Sequence, residues 1–152
     1  MSQVIWKRDI DLARLNQSSQ QTLIAHLGIE YCEIGDDYLK ARMPVAAITH
    51  QPLGMLHGGA SVVLAETLGS VAANYAVVEG DYCVGLEVNA NHLRAKRSGE
   101  VIGTATPVHL GQSTQVWQIE ICDERGRKIC LSRLTMAVLK QKRPFKRGQD
   151  DL

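Results

Sequence analysis

Glu66 is the residue whose setting most invites chemistry. It lies inside Gly58 to Val78, a run of small and aliphatic residues that reads as one long helix. At about 100° per residue, with Glu66 as zero, Gly59 falls at about 20°, Ser70 at about 40°, Asn74 at about 80° and Thr67 at about 100°. A narrow stripe of an otherwise apolar helix therefore carries a carboxylate, two hydroxyls and an amide. No Lys or Arg lies in this run to pair with the carboxylate. Burial without a partner raises a carboxyl pKa, which suits a general base or a nucleophile. The stripe also reads as a set of satisfied buried polar groups, and the helix by itself leaves both readings open.

The start of the same helix adds a second piece. Leu56-His57-Gly58-Gly59 leads into it. Glycines there let a ligand approach free backbone N–H groups, where the helix dipole favours developing negative charge. This is how an oxyanion hole is built, although Gly-Gly before a helix also serves as a plain turn. Gly58 and Glu66 are eight residues apart, which is about 12 Å along a helix axis. A reacting carbonyl must sit about 3 Å from both the donor and the attacking group. One helix does not supply both. A catalytic site here requires the Gly58 N–H and the Glu66 carboxylate to come from different subunits, in a two-fold dimer with two equivalent sites.

The rest of the chain must position these groups. With 152 residues it has the length of a single domain, expected over residues 1–140. A short helical stretch from Asp11 to His26 breaks near Ser18-Ser19 and ends at Gly28. Gly28 to Ile34 and Tyr38 to Met43 read as two strands around Gly35-Asp36-Asp37. Four more strands follow the long helix: Cys83 to Leu93, Glu100 to Val108, Thr114 to Cys122 and Lys128 to Leu139. In the first of these, Val84, Leu86, Val88 and Ala90 are expected on one face, against Glu87, Asn89 and Asn91. In the third, Trp117, Ile119 and Ile121 share a face. Segregated strands joined by tight turns predict an antiparallel sheet and an α+β fold. A helix apolar on nearly all sides must be buried on nearly all sides, which calls for a strongly curved sheet wrapped around it. The tail, residues 141–152, is charged, has little to bury and is expected to be disordered.

Composition limits the function classes. Seventeen Lys and Arg against sixteen Asp and Glu leave a net charge of +1, which argues against a nucleic-acid partner held by bulk electrostatics. The helix approaches the length of a bilayer, but Glu66 at its middle and the surrounding strands argue against a membrane span. Cys32, Cys83, Cys122 and Cys130 form no C-x-x-C pair and have no histidines at zinc spacing. They fit buried thiols in a reducing cytoplasm, and the polar N-terminus has no apolar signal segment. No metal is expected. Aromatic residues are only 5% of the chain, so the core must be built from Val, Ile, Leu, Ala and Gly.

The run Gln51-Pro52-Leu53-Gly54-Met55-Leu56-His57-Gly58-Gly59-Ala60-Ser61, continued through Glu66 to Ser70, resembles the hotdog-fold acyl-CoA thioesterases of the 4-hydroxybenzoyl-CoA type with a helix-borne glutamate. The likeness extends from Trp6 to Leu139. It implies a long central helix wrapped by a curved antiparallel sheet, with two sheets joined in a dimer and usually a homotetramer. It implies Glu66 as nucleophile or general base, and the Gly58 N–H of the other subunit on the carbonyl oxygen. Gln51 would assist there, His57 would lie near the leaving thiolate, and Ser70 would place the water or acyl group. It implies CoA across Gly85, His92-Leu93-Arg94-Ala95 and the hairpin His109, Leu110, Gly111, Gln112, Ser113 and Thr114. Arg94, Lys96 and Arg97 offer cations to phosphates, although such a cluster also occurs as a solvated turn. The substrate implied is an aromatic acyl-CoA, with 1,4-dihydroxy-2-naphthoyl-CoA of menaquinone synthesis favoured and a misacylated aryl-carrier protein or a broad acyl-CoA range as alternatives. CoA is part of the substrate and no separate cofactor is implied. Val71, small and next to Ser70, leaves room for a bicyclic acyl group. A non-catalytic acyl-CoA sensor would leave Glu66 without a role.

Overall fold

The period-two stretches fold as six strands of one antiparallel sheet in the computed structural model, which describes residues 3–141. They are β1 (Glu30–Ile34), β2 (Leu39–Pro44), β3 (Tyr82–His92), β4 (Glu100–Leu110), β5 (Thr114–Asp123) and β6 (Lys128–Leu139). Their order across the sheet is β1-β2-β4-β5-β6-β3. Helices α1 (Leu12–Ser18) and α2 (Leu23–His26) precede β1, and α3 (Gly58–Tyr75) lies between β2 and β3 in the chain. Helix α3 packs on β2, β3, β4, β5 and β6. Five flat strands would be about 19 Å wide, more than the 10–12 Å of a helix, so the sheet bends around α3. This is the α+β hotdog arrangement. The tail beyond Gln141 lies outside the described residues.

Small residues make that embrace possible. Ala60, Ser61, Leu64, Ala65, Leu68, Gly69, Ala72 and Ala73 form the buried face of α3. A Cβ at Gly69 would stand 2.6 Å from Leu134 Cδ2, so β6 comes close only because nothing is there. On β5, Trp117, Ile119 and Ile121 point together into the core as expected and are fully buried. The Trp117 Nε1–H donates to Gln115 Oε1 at 2.8 Å, which satisfies the one polar group the indole brings inside.

Three expectations need correction. The helix stops at Tyr75, three residues short of Val78, because the N-terminal segment crosses its end. The Lys7 N–H donates to the Tyr75 carbonyl at 2.8 Å, and the Arg8 guanidinium takes the carbonyls of Val78 and Asp81. The helix is buried on one face only: Val62, Val63, Thr67, Ser70 and Val71 are half-exposed and Glu66 is exposed. The chain has one sheet, and a sheet covers one side of a helix. The faces of β3 also differ. A bulge between Gly85 and Glu87 leaves Leu86 without a partner on β6. The register therefore flips, so that Gly85 pairs with buried Met136 and Val88 with buried Leu134. Cys83, Gly85, Val88, Ala90 and His92 face α3, while Val84 and Leu86 are exposed. A one-residue insertion in a strand swaps every following side chain to the other face.

β3 is an edge strand, and α3 ties down its first residues. The Asn74 side chain accepts from the Cys83 N–H at 2.8 Å and donates to the Cys83 carbonyl at 3.2 Å. Asn74→Ala leaves both groups without protein partners and should destabilise the fold by about 1–3 kcal/mol. Asn74→Asp, which keeps the acceptor, should lose less. Urea unfolding of the three proteins at pH 7 checks the ranking.

Candidate active site

The first half of the site is the start of α3. The loop before it is held by the 3-10 turn Ala47–Thr49, whose Thr49 carbonyl accepts from the His57 N–H at 2.8 Å. His57 is the N-cap: its Nδ1 accepts from the Gly59 N–H at 2.8 Å. That leaves the Gly58 N–H without a hydrogen bond to any described residue, as the first helical N–H must be unless something outside the helix takes it. Gly58 borders a cavity of about 340 Å³ with Gln51, Ser61, His92, Leu93, Arg94 and Ala95. A Cβ at Gly58 would stand 2.8 Å from His92 Nε2, so the C-terminal end of β3 is packed directly on the helix start. Gln51 lines the cavity while its side-chain oxygen accepts from the Leu53 N–H.

The second half lies two turns further on. Glu66 and Ser70 line a separate cavity of about 330 Å³ with Thr67, Val63, Val71 and, from α2, Leu23 and Ile24. The Glu66 carboxylate has no ion pair or hydrogen bond with any described residue and rests against β3, where a Cβ at Gly85 would stand 3.0 Å from its Oε1. The expectation of a desolvated carboxylate is corrected for the single chain: Glu66 is exposed, because the chain has no second layer to cover this face. Asn74, in the same stripe, is engaged with Cys83 and Ser70 and belongs to the scaffold.

The third group stands apart from both. Leu110, Gly111 and Gln112 line a cavity of about 360 Å³ at the far end of α3, beside Ala76, Val77 and Lys7. His109, Ser113 and Thr114 complete this hairpin, closed by the Gly111 N–H donating to Thr114 at 2.9 Å and the Val138 N–H donating to Ser113 at 2.9 Å. One chain thus places the expected residues in three separate groups. Gly85, expected with CoA, sits beside Glu66 instead of beside His92.

Comparisons with known proteins place the chain in a family. Residues 53–130, from just before the Gly58 loop to the start of β6, match the thioesterase superfamily. The chain belongs to that family. Its chemistry is thioester hydrolysis. The 1,4-dihydroxy-2-naphthoyl-CoA hydrolase of Escherichia coli is 56% identical over 137 residues, covering 90% of this chain and all of that one. The proofreading thioesterase EntH of Cronobacter turicensis is 53% identical over 136 residues, covering 90% of this chain and 99% of that one. A crystal structure of a thioesterase from Haemophilus influenzae superposes with a TM-score of 0.89 at 48% identity, covering 93% of this chain and 99% of that one.

Two features of this thioesterase were not legible in the residue pattern. Leu23 and Ile24 belong to a four-residue helix too short to show a period, yet they wall the Glu66 cavity. The Arg94-Lys96-Arg97 cluster is also not a uniform cationic patch. Lys96 Nζ pairs with Glu124 at 2.6 Å and Arg97 donates to the Leu53 carbonyl at 3.3 Å. Arg94 is exposed and has no ion pair among the described residues.

The Glu124 carboxyl is held down to about 2, from an ordinary 4.5, by hydrogen bonds from Lys96, from the Glu100 N–H and from its own backbone. A lowered carboxyl pKa adds stability that is full above the unfolded value and is lost as pH falls through the folded one. The stability gap between the wild type and Glu124→Gln should therefore be constant from neutral pH to about pH 5 and shrink below it. Urea unfolding at a series of pH values measures this; a gap that does not change toward pH 3 would refute the assignment.

Proposed function

We propose that the protein hydrolyses an aromatic acyl-CoA thioester at two equivalent sites of a homodimer, each site built from both chains. The observation that carries this is the pairing on one rigid helix of an uncommitted N–H at Gly58 and an unpaired carboxylate at Glu66. Both border cavities, and they stand too far apart to act on one carbonyl.

The edge of the sheet supports a way for two chains to meet. β3 has eleven residues, pairs on one side only among the described strands, and exposes Val84 and Leu86. Such an edge pairs readily with another strand. Along it, His92 abuts Gly58 and Gly85 abuts Glu66. Antiparallel pairing of two β3 strands centred near Val88 and Asn89 sets His92 of each chain opposite Gly85 of the other. The Gly58 N–H then faces the partner subunit's Glu66, and that carboxylate loses its exposure.

In this site the thioester carbonyl oxygen accepts from the Gly58 N–H, at the positive end of α3, with Gln51 beside it. Charge that develops on the oxygen as the carbonyl carbon becomes tetrahedral is stabilised there. The partner's Glu66 supplies the electron pair, either by attacking the carbon and forming an anhydride that water then cleaves, or by taking a proton from the attacking water. The C–S bond breaks and the CoA thiolate leaves. Ser70, one turn from Glu66, holds the water or the acyl group. His57 caps the helix that carries the Gly58 N–H, so it acts on the hole through the backbone. Arg94 takes the CoA phosphates. Water is the only other reactant, and no cofactor is required.

Leu23, Ile24, Val63 and Val71 make an apolar wall beside Glu66, and the small Val71 leaves space for a bicyclic acyl group. Together with the Escherichia coli relative, this favours 1,4-dihydroxy-2-naphthoyl-CoA as substrate, in the cytoplasm. The EntH relative supports a second reading, release of a mischarged acyl group from an aryl-carrier protein. Turnover of the two thioesters, compared side by side with other acyl-CoA esters, separates these.

Glu66→Gln should lower kcat by about 10² or more, since an amide neither attacks nor accepts the proton. Gly58→Pro should do likewise. Proline suits the first helical position and removes the N–H, His57 already has the extended conformation that precedes a proline, and the His92 ring, whose Nε2 lies 2.8 Å from where the Cβ would stand, turns aside to admit it. Each variant spoils a different half-site. Unfolding an equimolar mixture and refolding it should restore about a quarter of wild-type activity, because half the dimers are mixed and each has one intact site. Two inactive parents that recover nothing on mixing would overturn the shared site.

A further inference from the structure

Residues 93–99 join β3 to β4 with no regular structure, yet they carry Leu93, Arg94 and Ala95 of the Gly58 cavity. They are stitched on one side to the loop before α3. The Leu56 N–H donates to the Lys96 carbonyl at 2.8 Å, the Val45 N–H donates to the Gly99 carbonyl at 2.8 Å, and His50 Nε2 lies 2.9 Å from the Arg97 carbonyl. From the other side the Ile129 carbonyl of β6 accepts from the N–H groups of Leu93 at 2.8 Å and Arg94 at 3.4 Å, and one side chain, Glu124 of the β5–β6 turn, reaches in to the second half of the loop. Its Oε2 meets Lys96 Nζ at 2.6 Å and its Oε1 accepts from the Glu100 N–H at 2.6 Å. Gly99, at φ +81°, gives way to it: a Cβ there would collide with the carboxylate. Asp123 aims the turn by accepting from the N–H groups of Arg125 and Arg127, both at 2.9 Å, and from Arg127 Nε at 2.7 Å.

Resting on the proposed hydrolase reading, we infer that the Glu124–Lys96 pair is a positioning device that holds the 93–99 loop, and with it Arg94, where the nucleotide end of CoA binds. Neither residue touches the reacting carbonyl. Glu124 also withdraws Lys96 from the cationic cluster, so that Arg94 stands free at the cavity. The pair therefore governs affinity for the nucleotide and leaves the chemical step alone.

Benzoyl-CoA and benzoyl-pantetheine, which carry the same acyl group with and without the nucleotide, test this. In Glu124→Gln and in Lys96→Met, KM for benzoyl-CoA should rise about three- to ten-fold with kcat within about two-fold of wild type. KM for benzoyl-pantetheine should not move. Lys96→Arg, which keeps the ion pair, should behave as wild type, and Glu124→Gln should add nothing in an Arg94→Ala background. An equal rise for both thioesters, or no rise for benzoyl-CoA, overturns the clamp while leaving thioester hydrolysis standing. A wild type that cleaves neither thioester overturns the hydrolase reading instead. The clamp is then judged by titration of CoA itself: a weaker Kd in Glu124→Gln supports it, and an equal Kd overturns it.

Discussion

Eight residues of α-helix set Gly58 and Glu66 about 12 Å apart along one axis. Everything else in the molecule follows from keeping this helix straight and half-covered. The N-cap from His57 takes the Gly59 N–H and so leaves the Gly58 N–H available. The crossing of Lys7 and Arg8 over Tyr75 and Val78 ends the helix. Between these ends the buried face is Ala, Gly, Ser and Leu, which lets a narrow cylinder sink into a bent sheet. The low aromatic content follows from the same requirement: bulkier residues on α3 would push β4, β5 and β6 away.

The opposite face of α3 is only partly covered. A sheet has two faces and two edges, and this one spends one face on α3 and leaves the β3 edge open. The bulge at Leu86 turns Gly85 toward Glu66 and Val84 outward, so the same irregularity clears room for the carboxylate and leaves apolar residues exposed beside it. The site and the free edge are thus one feature. Covering the edge with a second copy would also change the surroundings of Glu66 from water to protein, which is where an unpaired carboxylate gains reactivity.

Much of the fold was legible because it rests on period and punctuation. The six strands, the turn at Gly35 to Asp37, the broken helix before Gly28 and the inward set Trp117, Ile119 and Ile121 all follow from local pattern. The candidate site was legible in the same way: Gly58, Glu66 and Ser70 stand out as polar or bare positions in an apolar run. What failed had a common cause. The bulge at Leu86 carries no residue signal, since Val84-Gly85-Leu86-Glu87-Val88 alternates well enough without it. The exposure of Glu66 depends on how many layers cover α3. The roles of Leu23, Ile24 and Glu124 depend on contacts across 24 to 48 positions of chain, which composition and spacing do not record.

The residues alone determined that a carboxylate and a glycine-lined helix start lie on one helix at a separation no single carbonyl can bridge, because helix geometry is local and set by bond angles and hydrogen bonds. They determined the α+β class for the same reason, since alternation and turn residues act within a few positions. Only the tertiary structure decided which strand lies at the edge, that Gly58 lies against His92 and Glu66 against Gly85, and that Lys96 is taken by Glu124 while Arg94 has no ion pair among the described residues. These are outcomes of packing, in which groups far apart in the chain compete for the same few ångströms of space and the same hydrogen-bonding partners.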